Sequence, residues 1–383
     1  MHTKISKNMQ LDYKSSRISD FKQIKNALNS SSTYQNDNAI VALGDSTDLL
    51  KLIPSNSVSL ILTDPPYHTT KKKNITNDTA FESDEDFLGW IRELIIEWKR
   101  ILKPNGSIYF FCSSKMSARL EVLFSEYFNV LSHIVWSKPN EPGFDGWKQK
   151  MKKEALRQWY AHTERIIFAE PAFEGNLFRV WFANVIRENR LLTGMSMKDL
   201  TEFTGDYGTV NHGGAVSNWE AGRNVPSREQ YEKICECLTA TDSVSSMPFY
   251  EDLIRPFDVN SDVEFTDVWD FYSVRPYNGK HPAEKPLDML NHCIKSSTYE
   301  GDIILDCFAG SGSTAVSALN NGRKTISIEI EEKWTSVIEN RLRKLEENKF
   351  IDEIKNAQPI MKLTGTKTRT SAKVDETMPT LFH

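Results

Sequence analysis

The first residues that could do chemistry are Asp64-Pro65-Pro66-Tyr67, which directly follow the apolar stretch 58–62. Short apolar, β-branched stretches predict a buried strand, and its carboxyl end lies at the edge where open α/β sheets bind ligands. The two prolines fix the turn and remove two backbone donors, which leaves carbonyl acceptors, one carboxylate and one aromatic face. Such a cleft suits a planar group that carries an amino substituent.

The chemistry that this cleft could do is nucleophilic attack by an aromatic amine. The lone pair of such an amine is delocalised into its ring, so the nitrogen is a poor nucleophile. The Asp64 carboxylate and the Pro65 carbonyl could accept both amino hydrogens and favour a more tetrahedral nitrogen, while Tyr67 stacks on the ring. A Pro-Pro turn flanked by Asp and Tyr by chance is the structural alternative. The run alone does not decide between the two.

A second group of residues follows another apolar strand and precedes a helix. It is Asp306-Cys307-Phe308-Ala309-Gly310-Ser311-Gly312-Ser313-Thr314. Gly310 and Gly312 permit close approach of the backbone to a ligand. The Gly-Lys-Ser/Thr of a Walker loop is missing, and the spacing departs from the dinucleotide fingerprint, so the loop favours an adenosyl group. Glu329 ends the next predicted strand, where a carboxylate can accept both hydroxyls of a ribose; a purely structural glycine turn is the alternative.

The elements that must position these groups form two α/β blocks. The first has strands predicted at 39–43, 58–63 and 107–112, with a helix over 87–102 that the run Lys103-Pro104-Asn105-Gly106 ends. The second has strands at 302–305 and 325–328, with helices over 313–320 and 333–349. A strand, a crossover helix and a strand form the unit of a parallel sheet. Between the blocks, from about 174 to 262, the strand pattern gives way to short helices, which indicates an insertion.

Together the two groups resemble the amino-methyltransferases of DNA, and their order, DPPY before FAGSGST, is that of the family's β class. Further runs fall where that class has them, at residues 44–46, 102–107, 134–140 and 281–286. The matches cover about residues 39–172 and 262–350. This resemblance therefore extends over more than half of the chain.

The resemblance implies a fold, a cofactor and a set of site residues. The fold is α/β, a Rossmann-like S-adenosylmethionine-dependent methyltransferase with a mostly parallel seven-stranded sheet. The expected catalytic residues are Asp64, Pro65, Pro66 and Tyr67. The expected S-adenosylmethionine residues are Asp306, Phe308, Ala309, Gly310, Gly312 and Glu329, with Asp45 on the adenine side and His281 and Lys285 near the methionine end.

The insertion carries a second resemblance. Residues 215–223 contain Trp-Glu-x-Gly-Arg, and Pro226-Ser227 follow, as in the helix-turn-helix domain of phage-repressor-like regulators. A small all-α helix-turn-helix module is expected at about 178–238, with Asn218 and Arg223 as base or phosphate contacts and with Val216 and Trp219 facing its own core. The turn between its two helices is longer than the family's usual one, and a module that only packs is the alternative.

A basic stretch lies between the first block and the insertion. Its lysines Lys148, Lys150, Lys152 and Lys153 are candidates for phosphate contact, with a solvated helix face as the alternative.

Composition limits the class of protein. The 383 residues carry a formal net charge of −5, which argues against wrapping nucleic acid over the whole surface but permits a basic groove. The five cysteines form no CxxC pairs and their number is odd, so we expect reduced thiols and no metal site. No apolar stretch of membrane-spanning length and no signal-peptide core occurs, so a cytoplasmic protein without membrane contact is expected.

The expected domain organisation follows from these observations. It comprises a polar N-terminal extension (1–38), a catalytic half of the core (39–172), a target-recognition insertion (173–261), a cofactor half (262–350) and a flexible C-terminal tail (351–383).

The expected function is transfer of a methyl group from S-adenosylmethionine to N6 of adenine in double-stranded DNA, with the base flipped out of the duplex. No Pro-Cys dipeptide is present, so direct transfer to nitrogen is favoured over the covalent cysteine route to cytosine carbon. The alternatives are N4 methylation of cytosine, which shares the cleft, a DNA-binding regulator with an inactive methyltransferase fold, and methylation of RNA or a protein amide. The resemblance leaves open an orphan enzyme or one with a cognate restriction endonuclease, and a monomer or a homodimer.

Overall fold

A mixed sheet forms the centre of the molecule. The computed structural model describes residues 2–68, 81–139, 152–155, 157, 159, 162–171, 178–207, 214–259 and 265–357. Within these ranges the strands are β1 (Ser32–Gln35), β2 (Ala39–Leu43), β3 (Val58–Thr63), β4 (Leu102–Ser113), β5 (Phe128–Trp136), β6 (Glu164–Pro171), β7 (Val268–Trp269), β8 (Ile303–Asp306) and β9 (Lys324–Glu329). Their order across the sheet is β1-β2-β9-β8-β3-β4-β6-β5-β7. The pairs β1/β2, β4/β6 and β6/β5 are antiparallel and the other five are parallel.

The expectation of seven strands is wrong, because the described part of the sheet has nine. The two additional strands are the edge strands β1 and β7. Strand β1 has one buried side chain, Tyr34, so its sequence lacks the apolar alternation that predicts a strand. An Asn36 turn creates the pairing instead, because its side-chain oxygen accepts hydrogen bonds from the backbone N–H groups of Asn38, at 2.7 Å, and Ala39, at 2.6 Å. Strand β7 has only two residues, too few to give a periodicity.

The helices cover both faces of the sheet and fill the insertion. They are α1 (His2–Ala27), α2 (Ser46–Leu49), α3 (Asp84–Ile101), α4 (Ser117–Ser125), α5 (Phe178–Thr193), α6 (Met197–Thr204), α7 (Ala215–Glu220), α8 (Arg228–Thr239), α9 (Tyr250–Leu253), α10 (Leu287–Ser297), α11 (Ser313–Asn320) and α12 (Glu332–Ala357). None of the helices in the described ranges has the length and apolarity needed to cross a bilayer.

The central strand β3 is buried on both faces, as its continuous apolar sequence predicts. Ile61 faces the larger core cluster, in which Ile91 and Trp98 of α3 pack against the sheet. Leu60 and Leu62 face the second cluster, where Met289 and Ile294 of α10 cover the opposite face. Helix α3 forms as expected, since its apolar residues recur at helical spacing and Ser83 caps its first turn by accepting a hydrogen bond from the Asp86 N–H at 3.1 Å.

Helix α3 ends at Ile101, just before the run 103–106 that was expected to end it, but β4 begins at Leu102, earlier than the expected residue 107, and runs through 103–106 with a register shift. Tertiary bonds outweigh the turn propensity of its Pro-Asn-Gly. Asn105 Nδ2 donates to the Ile254 carbonyl at 3.1 Å, and Lys103 pairs with Asp20 at 2.8 Å. A Cβ on Gly106 would lie 2.9 Å from the Ser59 carbonyl oxygen, which explains the glycine at this close strand contact.

The N-terminal region is part of the fold, contrary to the expected polar extension. Phe21, Ile24 and Leu28 lie at helical spacing at the end of α1 and are buried in the larger core cluster. Arg17 is also buried and pairs with Asp302 at 2.9 Å and Asp252 at 2.5 Å. At the other end, α12 continues to Ala357, past the expected boundary at 350, and residues 358–383 of the expected tail lie outside the described ranges.

The insertion has a hydrophobic core of its own, formed by helices α5 to α9. Val216 and Trp219 of α7 are buried in it, which confirms the expectation that they pack inside the module. Arg190 of α5 makes a bidentate pair with Glu220 at the end of α7, with distances of 2.5 and 3.0 Å. The pair fixes the start of the insertion against its short helix α7.

Candidate active site

The two groups of residues singled out in the sequence meet at the centre of the sheet. Strands β3 and β8 are parallel neighbours, with Ile61 opposite Leu305, so both groups leave the sheet at the same edge. The chain continues from β3 to one side of the sheet and from β8 to the other, which makes their junction a topological switch point. Thr63 joins them directly, because its hydroxyl donates to Asp306 Oδ1 at 3.2 Å.

Asp64 lies at the mouth of this junction, and its side chain is 16% exposed. Its Oδ2 accepts a hydrogen bond from the ammonium of Lys285. Its Oδ1 is buried and accepts no hydrogen bond of ordinary geometry from the described residues. Burial raises the pKa of Asp64 even though the Lys285 charge opposes the shift. The site therefore presents a buried carboxylate oxygen that still needs a donor.

Sequence reasoning missed a second carboxylate, Glu164, in this site. The Tyr67 hydroxyl donates to Glu164 Oε2 at 3.1 Å, and Lys285 Nζ lies 3.5 Å from the same oxygen. The other oxygen, Oε1, accepts from the ammonium of Lys138. Burial alone would raise the pKa of Glu164, but Lys285 and Lys138 more than offset it and hold the pKa below its ordinary value.

Topology explains how Glu164 reaches the site. It is the first residue of β6, which runs antiparallel between β4 and β5, and it pairs with Ser113 and Trp136 at their ends. An antiparallel strand begins at the edge where its parallel neighbours end. The signal in the sequence was a charged residue directly before the apolar run of β6, but its meaning depends on knowing the strand direction.

Lys285 connects the two carboxylates and is itself 8% exposed. Burial works against its charge, but Asp64 and Glu164 outweigh that effect and raise the pKa of Lys285. Its Nζ also lies 5.1 Å from the centre of the Phe111 ring and 5.7 Å from that of Tyr67. Lys138, by contrast, has its pKa lowered by burial and adopts a positive φ of 49°. Such backbone strain in a non-glycine residue is typical of functional sites.

An open cleft of about 400 Å³ extends from Asp64 along the glycine loop. Of the expected site residues, those that line it are Asp64, His281, Lys285, Asp306, Phe308, Ala309 and Gly310. Those that lie outside its lining are Pro65, Pro66, Tyr67, Gly312, Glu329 and Asp45. The cleft thus joins the carboxylate after β3 to the loop after β8.

Protein side chains lie close to both loop glycines, at the positions that a Cβ would occupy. Gly310 has a φ of +49°, and a Cβ on it would lie 2.9 Å from His281 Cε1. Gly312 has a φ of +76°, and its Cβ would lie 2.9 Å from Ile338. Burial lowers the pKa of His281 to about 4, so a neutral imidazole covers Gly310 at pH 7. The imidazole in turn packs edge-on against Trp334.

Glu329 is held at the end of β9 by backbone donors. The Gly310 N–H donates to its Oε2 at 2.8 Å and the Glu331 N–H to its Oε1 at 3.0 Å, while burial raises its pKa. Each oxygen keeps a second lone pair for another donor. Asp45 lies at the same edge, since Leu43 is paired with Glu329, but it is exposed and caps α2 by accepting from the Thr47 N–H at 2.8 Å.

Asp306 is another buried carboxylate that lines the cleft. Its Oδ1 accepts from the Phe308 N–H at 3.1 Å as well as from Thr63. Burial raises the pKa of Asp306 to about 6. This carboxyl group therefore changes charge in slightly acidic solution.

The expected DNA contacts fall into two places. On the insertion, Arg223 Nη1 donates to Asn218 Oδ1 at 3.1 Å, so the two side chains are neighbours at the end of α7. In the basic stretch, Lys152 is exposed and Lys153 begins a 3₁₀ turn, Lys153–Ala155. Lys148 and Lys150 lie outside the described residues.

Comparison with known proteins identifies relatives of this chain. The sequence model of the N6/N4 methyltransferase family, described as DNA methylase, matches residues 58–340. The DNA adenine methyltransferase YhdJ of Escherichia coli K12 is 27% identical over 308 residues, covering 79% of this chain and 81% of that protein. The type II methyltransferase M.BglII of Bacillus subtilis is 26% identical over 331 residues, covering 83% of this chain and 72% of that protein.

Solved structures similar to this chain include the M1.HpyAVI–SAM complex and the cytosine-N4-specific PvuII DNA methyltransferase. The first has a TM-score of 0.45 at 17% identity and covers 79% of this chain and 98% of that chain. The second has a TM-score of 0.47 at 16% identity and covers 80% of this chain and 87% of that chain.

Proposed function

The chain belongs to the N6/N4 DNA methylase family, whose methyl donor is S-adenosylmethionine, and from that premise we propose that it methylates N6 of adenine within a recognised sequence of duplex DNA. The observation that carries the proposal is the buried Asp64 carboxylate at the junction with the glycine loop, whose Oδ1 accepts no hydrogen bond of ordinary geometry from the described residues. An exocyclic amine can donate a hydrogen bond to this oxygen.

Asp64 and Pro65 act on the target nitrogen. Asp64 Oδ1 accepts one amino hydrogen and the Pro65 carbonyl accepts the other, which draws the lone pair out of conjugation with the ring. The negative charge of Asp64 also offsets the positive charge that the nitrogen gains as it is alkylated. A buried carboxylate does this more strongly than an exposed one, because little water screens it.

The residues after β8 and β9 fit the methyl donor. Bound S-adenosylmethionine supplies an electrophilic methyl group on a sulfonium centre. Asp306 faces the cleft with a carboxylate that can pair with the donor's ammonium group, and Glu329 has lone pairs left for the ribose hydroxyls. Phe308 and Ala309 also line the cleft. In this proposal His281 and Lys285 serve the methionine end of the donor, and Asp45, which lies outside the lining of the cleft, serves its adenine end.

Tyr67 provides the surface for the target base. A base in the duplex must be extruded to reach Asp64, at a cost of a few kcal/mol in stacking and pairing. The half-buried Tyr67 ring is held by its hydroxyl bond to Glu164, so one face can stack on the extruded base.

Two features support adenine over cytosine. The resemblance to the amino-methyltransferases favours adenine, since members that act on cytosine more often carry Ser where this chain has Asp64. The E. coli relative, which matches this sequence over most of both chains, is an adenine methyltransferase by name.

Mass spectrometry of nucleosides from the DNA of expressing cells tests the assignment, with cells that express Asp64→Ala as the control. The expected product is N6-methyladenine that is absent from the control. A product of N4-methylcytosine without N6-methyladenine would contradict the adenine assignment.

The insertion is proposed to read the target sequence. Its support is a compact helical module in which α7 buries Val216 and Trp219 and leaves Ser217 exposed beside Asn218 and Arg223. A short helix fits the major groove, where Asn pairs with adenine and Arg with guanine. Replacing residues 178–238 by a short Gly-Ser linker and mapping methylation in cells tests this, because a folded deletion variant with unchanged sequence specificity would show that recognition lies elsewhere, for example in the basic stretch.

A further inference from the structure

A buried cluster of alternating charges surrounds Asp64, and one member of it, Glu164, contacts Tyr67 and both lysines there. Glu164 accepts from Tyr67 at 3.1 Å, lies 3.5 Å from Lys285, and binds Lys138 through its other oxygen. Asp64, by comparison, contacts only Lys285 among the described lysines. The Glu164 side chain is 15% exposed, so these are poorly screened interactions.

We propose that Glu164 is a positioning residue for methyl transfer, which holds the Tyr67 ring and provides a second carboxylate for the Lys285 ammonium. The inference rests on the proposed roles of Asp64 and Tyr67. In this inference the first residue of β6 positions Tyr67 and Lys285, which neither the glycine loop nor the DPPY run does.

The physical need for Glu164 arises from competition at Asp64. The Lys285 ammonium binds Oδ2 of Asp64 and the target amine is proposed to bind Oδ1 of the same carboxylate, and the full charge of the ammonium weakens that carboxylate as an acceptor for the amine. When the amine arrives, Lys285 can strengthen its bond to Glu164 Oε2 without leaving the site, since that oxygen is already within 3.5 Å. Without Glu164, Lys285 has Asp64 as its one carboxylate partner among the described residues and competes with the amine.

A second consequence concerns Tyr67. Its hydroxyl donates to Glu164, so removal of the carboxylate releases the tip of the ring on which the base is proposed to stack. Glu164 thus affects both the base and the amine-binding carboxylate, but it touches neither the base nor the methyl donor itself.

The charged and titratable groups that face Glu164 come from several elements. They are Asp64 and Tyr67 after β3, Cys112 on β4, Lys138 after β5 and Lys285 before α10. The Glu164 charge raises the pKa of both Asp64 and Lys285. Its removal therefore shifts both limbs of a pH profile to lower pH, which loss of packing alone does not do.

The test compares Glu164→Gln with Glu170→Gln in the full-length protein. Glu170 lies on the same strand, is similarly buried, and pairs with Arg255 at 2.6 Å and Asn129 at 2.9 Å, but it is at the opposite end of the strand from the site. Thermal melting reports the structural cost of each change. Single-turnover rates and S-adenosylmethionine dissociation constants report the functional cost.

We expect Glu164→Gln to lower the methyl-transfer rate at saturating DNA and donor about 10- to 100-fold, with donor affinity within about threefold of wild type. The pH profile should move to lower pH, and Glu164→Asp should recover part of the rate. Glu170→Gln should keep the wild-type rate and profile. Tyr67→Phe, which removes only the hydroxyl bond, should cause a smaller loss than Glu164→Gln.

Two outcomes would overturn the inference. One is a Glu164→Gln variant with a wild-type rate and profile, and the other is a rate loss matched by Glu170→Gln and by the melting shift. Asp64→Ala, measured in parallel, separates this inference from the proposed function. An inactive Asp64→Ala beside a fully active Glu164→Gln would refute only the role of Glu164, whereas an active Asp64→Ala would refute the function of the site.

Discussion

The two strand ends that form the site hold their functional groups in different ways. After β3, ion pairs between side chains hold the functional groups, because Lys285 pairs with both Asp64 and Glu164. After β8, the backbone holds them, because Gly310 adopts a positive φ and its N–H donates a hydrogen bond to Glu329. Charged side chains can exchange partners when an amine arrives, whereas a loop fixed by backbone bonds is already formed. Under the proposed function, chemistry depends on the first region, after β3, and donor binding on the second region, after β8.

Asp64→Ala should impair the first region without impairing donor binding in the second, and it should have the largest effect of these changes. We expect a loss of transfer of about 10³-fold or more, because the group that activates the amine is removed. The donor dissociation constant should change by less than about threefold. Single-turnover kinetics and isothermal titration of S-adenosylmethionine measure the two quantities, and wild-type turnover in this variant would contradict the role of Asp64.

Gly310→Ala should break the second region. The new Cβ would lie 2.9 Å from His281, and an L-residue at this φ costs roughly 1–2 kcal/mol in addition. Donor affinity should fall about 10- to 100-fold, as measured by titration.

Gly301→Ala is the matched control for Gly310→Ala. Gly301 has a φ of +86°, but nothing lies within 4 Å of the position of its Cβ. It should lose about 1 kcal/mol of stability and keep its donor affinity. If both variants lost the same donor affinity, backbone strain would explain the loss, and the contact of Gly310 with His281 would not.

The pKa of Asp306 predicts a pH dependence confined to the second region. As burial raises this pKa to about 6, the carboxyl is neutral below it and binds a cationic donor less well. Donor affinity should fall severalfold between pH 7 and pH 5, and Asp306→Asn should remove that dependence. The stability of the ligand-free protein should respond in the opposite sense: a raised pKa favours the neutral form, so this contribution is complete below the unfolded value of 3.8 and is lost as the pH rises through 6.

Changes in the insertion should leave both regions intact. Asn218→Ala or Arg223→Ala should weaken methylation of the proper site by roughly 1–3 kcal/mol, or about 5- to 150-fold, with donor affinity unchanged. Trp219→Ala removes a buried side chain and should destabilise the module by about 3–5 kcal/mol. Competition between methylated sequences measures the first effect and thermal melting the second. A uniform loss over all sequences in Asn218→Ala would indicate backbone contact only.

The sequence predicts the central part of the fold well, and the reason is periodicity. The bounds of β2, β3 and α11 agree with the predictions from apolar patterns, and α3 agrees within a few residues. The edge strand β1 and the N-terminal helix escaped prediction because their sequences are mainly polar. The core residues against which the helix packs also lie far away in the chain. The early start of β4 at Leu102 also depends on a distant residue, since Asn105 donates a hydrogen bond to the carbonyl of Ile254.

The candidate site residues that stand in one short run of sequence could be predicted. Those that the strand order brings together from distant parts of the chain could not. Asp64, Asp306 and Gly310 stand in such runs, and the structure brings them to one cleft. Glu164 and Lys138 come from the ends of two other strands, so only the strand order places them beside Asp64. The side chains that cover the loop glycines could not be foreseen either, since a glycine in a sequence does not tell which neighbour needs the space.

The central claim is that this chain transfers methyl groups to an amine of duplex DNA through Asp64. Its most direct test is a single-turnover assay with methyl-labelled S-adenosylmethionine and three acceptors: duplex DNA, RNA of the same sequence and a protein extract. We predict label in duplex DNA alone with the wild-type protein, and no label with Asp64→Asn under donor saturation confirmed by titration. Label in RNA or protein without label in DNA, or undiminished transfer by Asp64→Asn, would contradict the account.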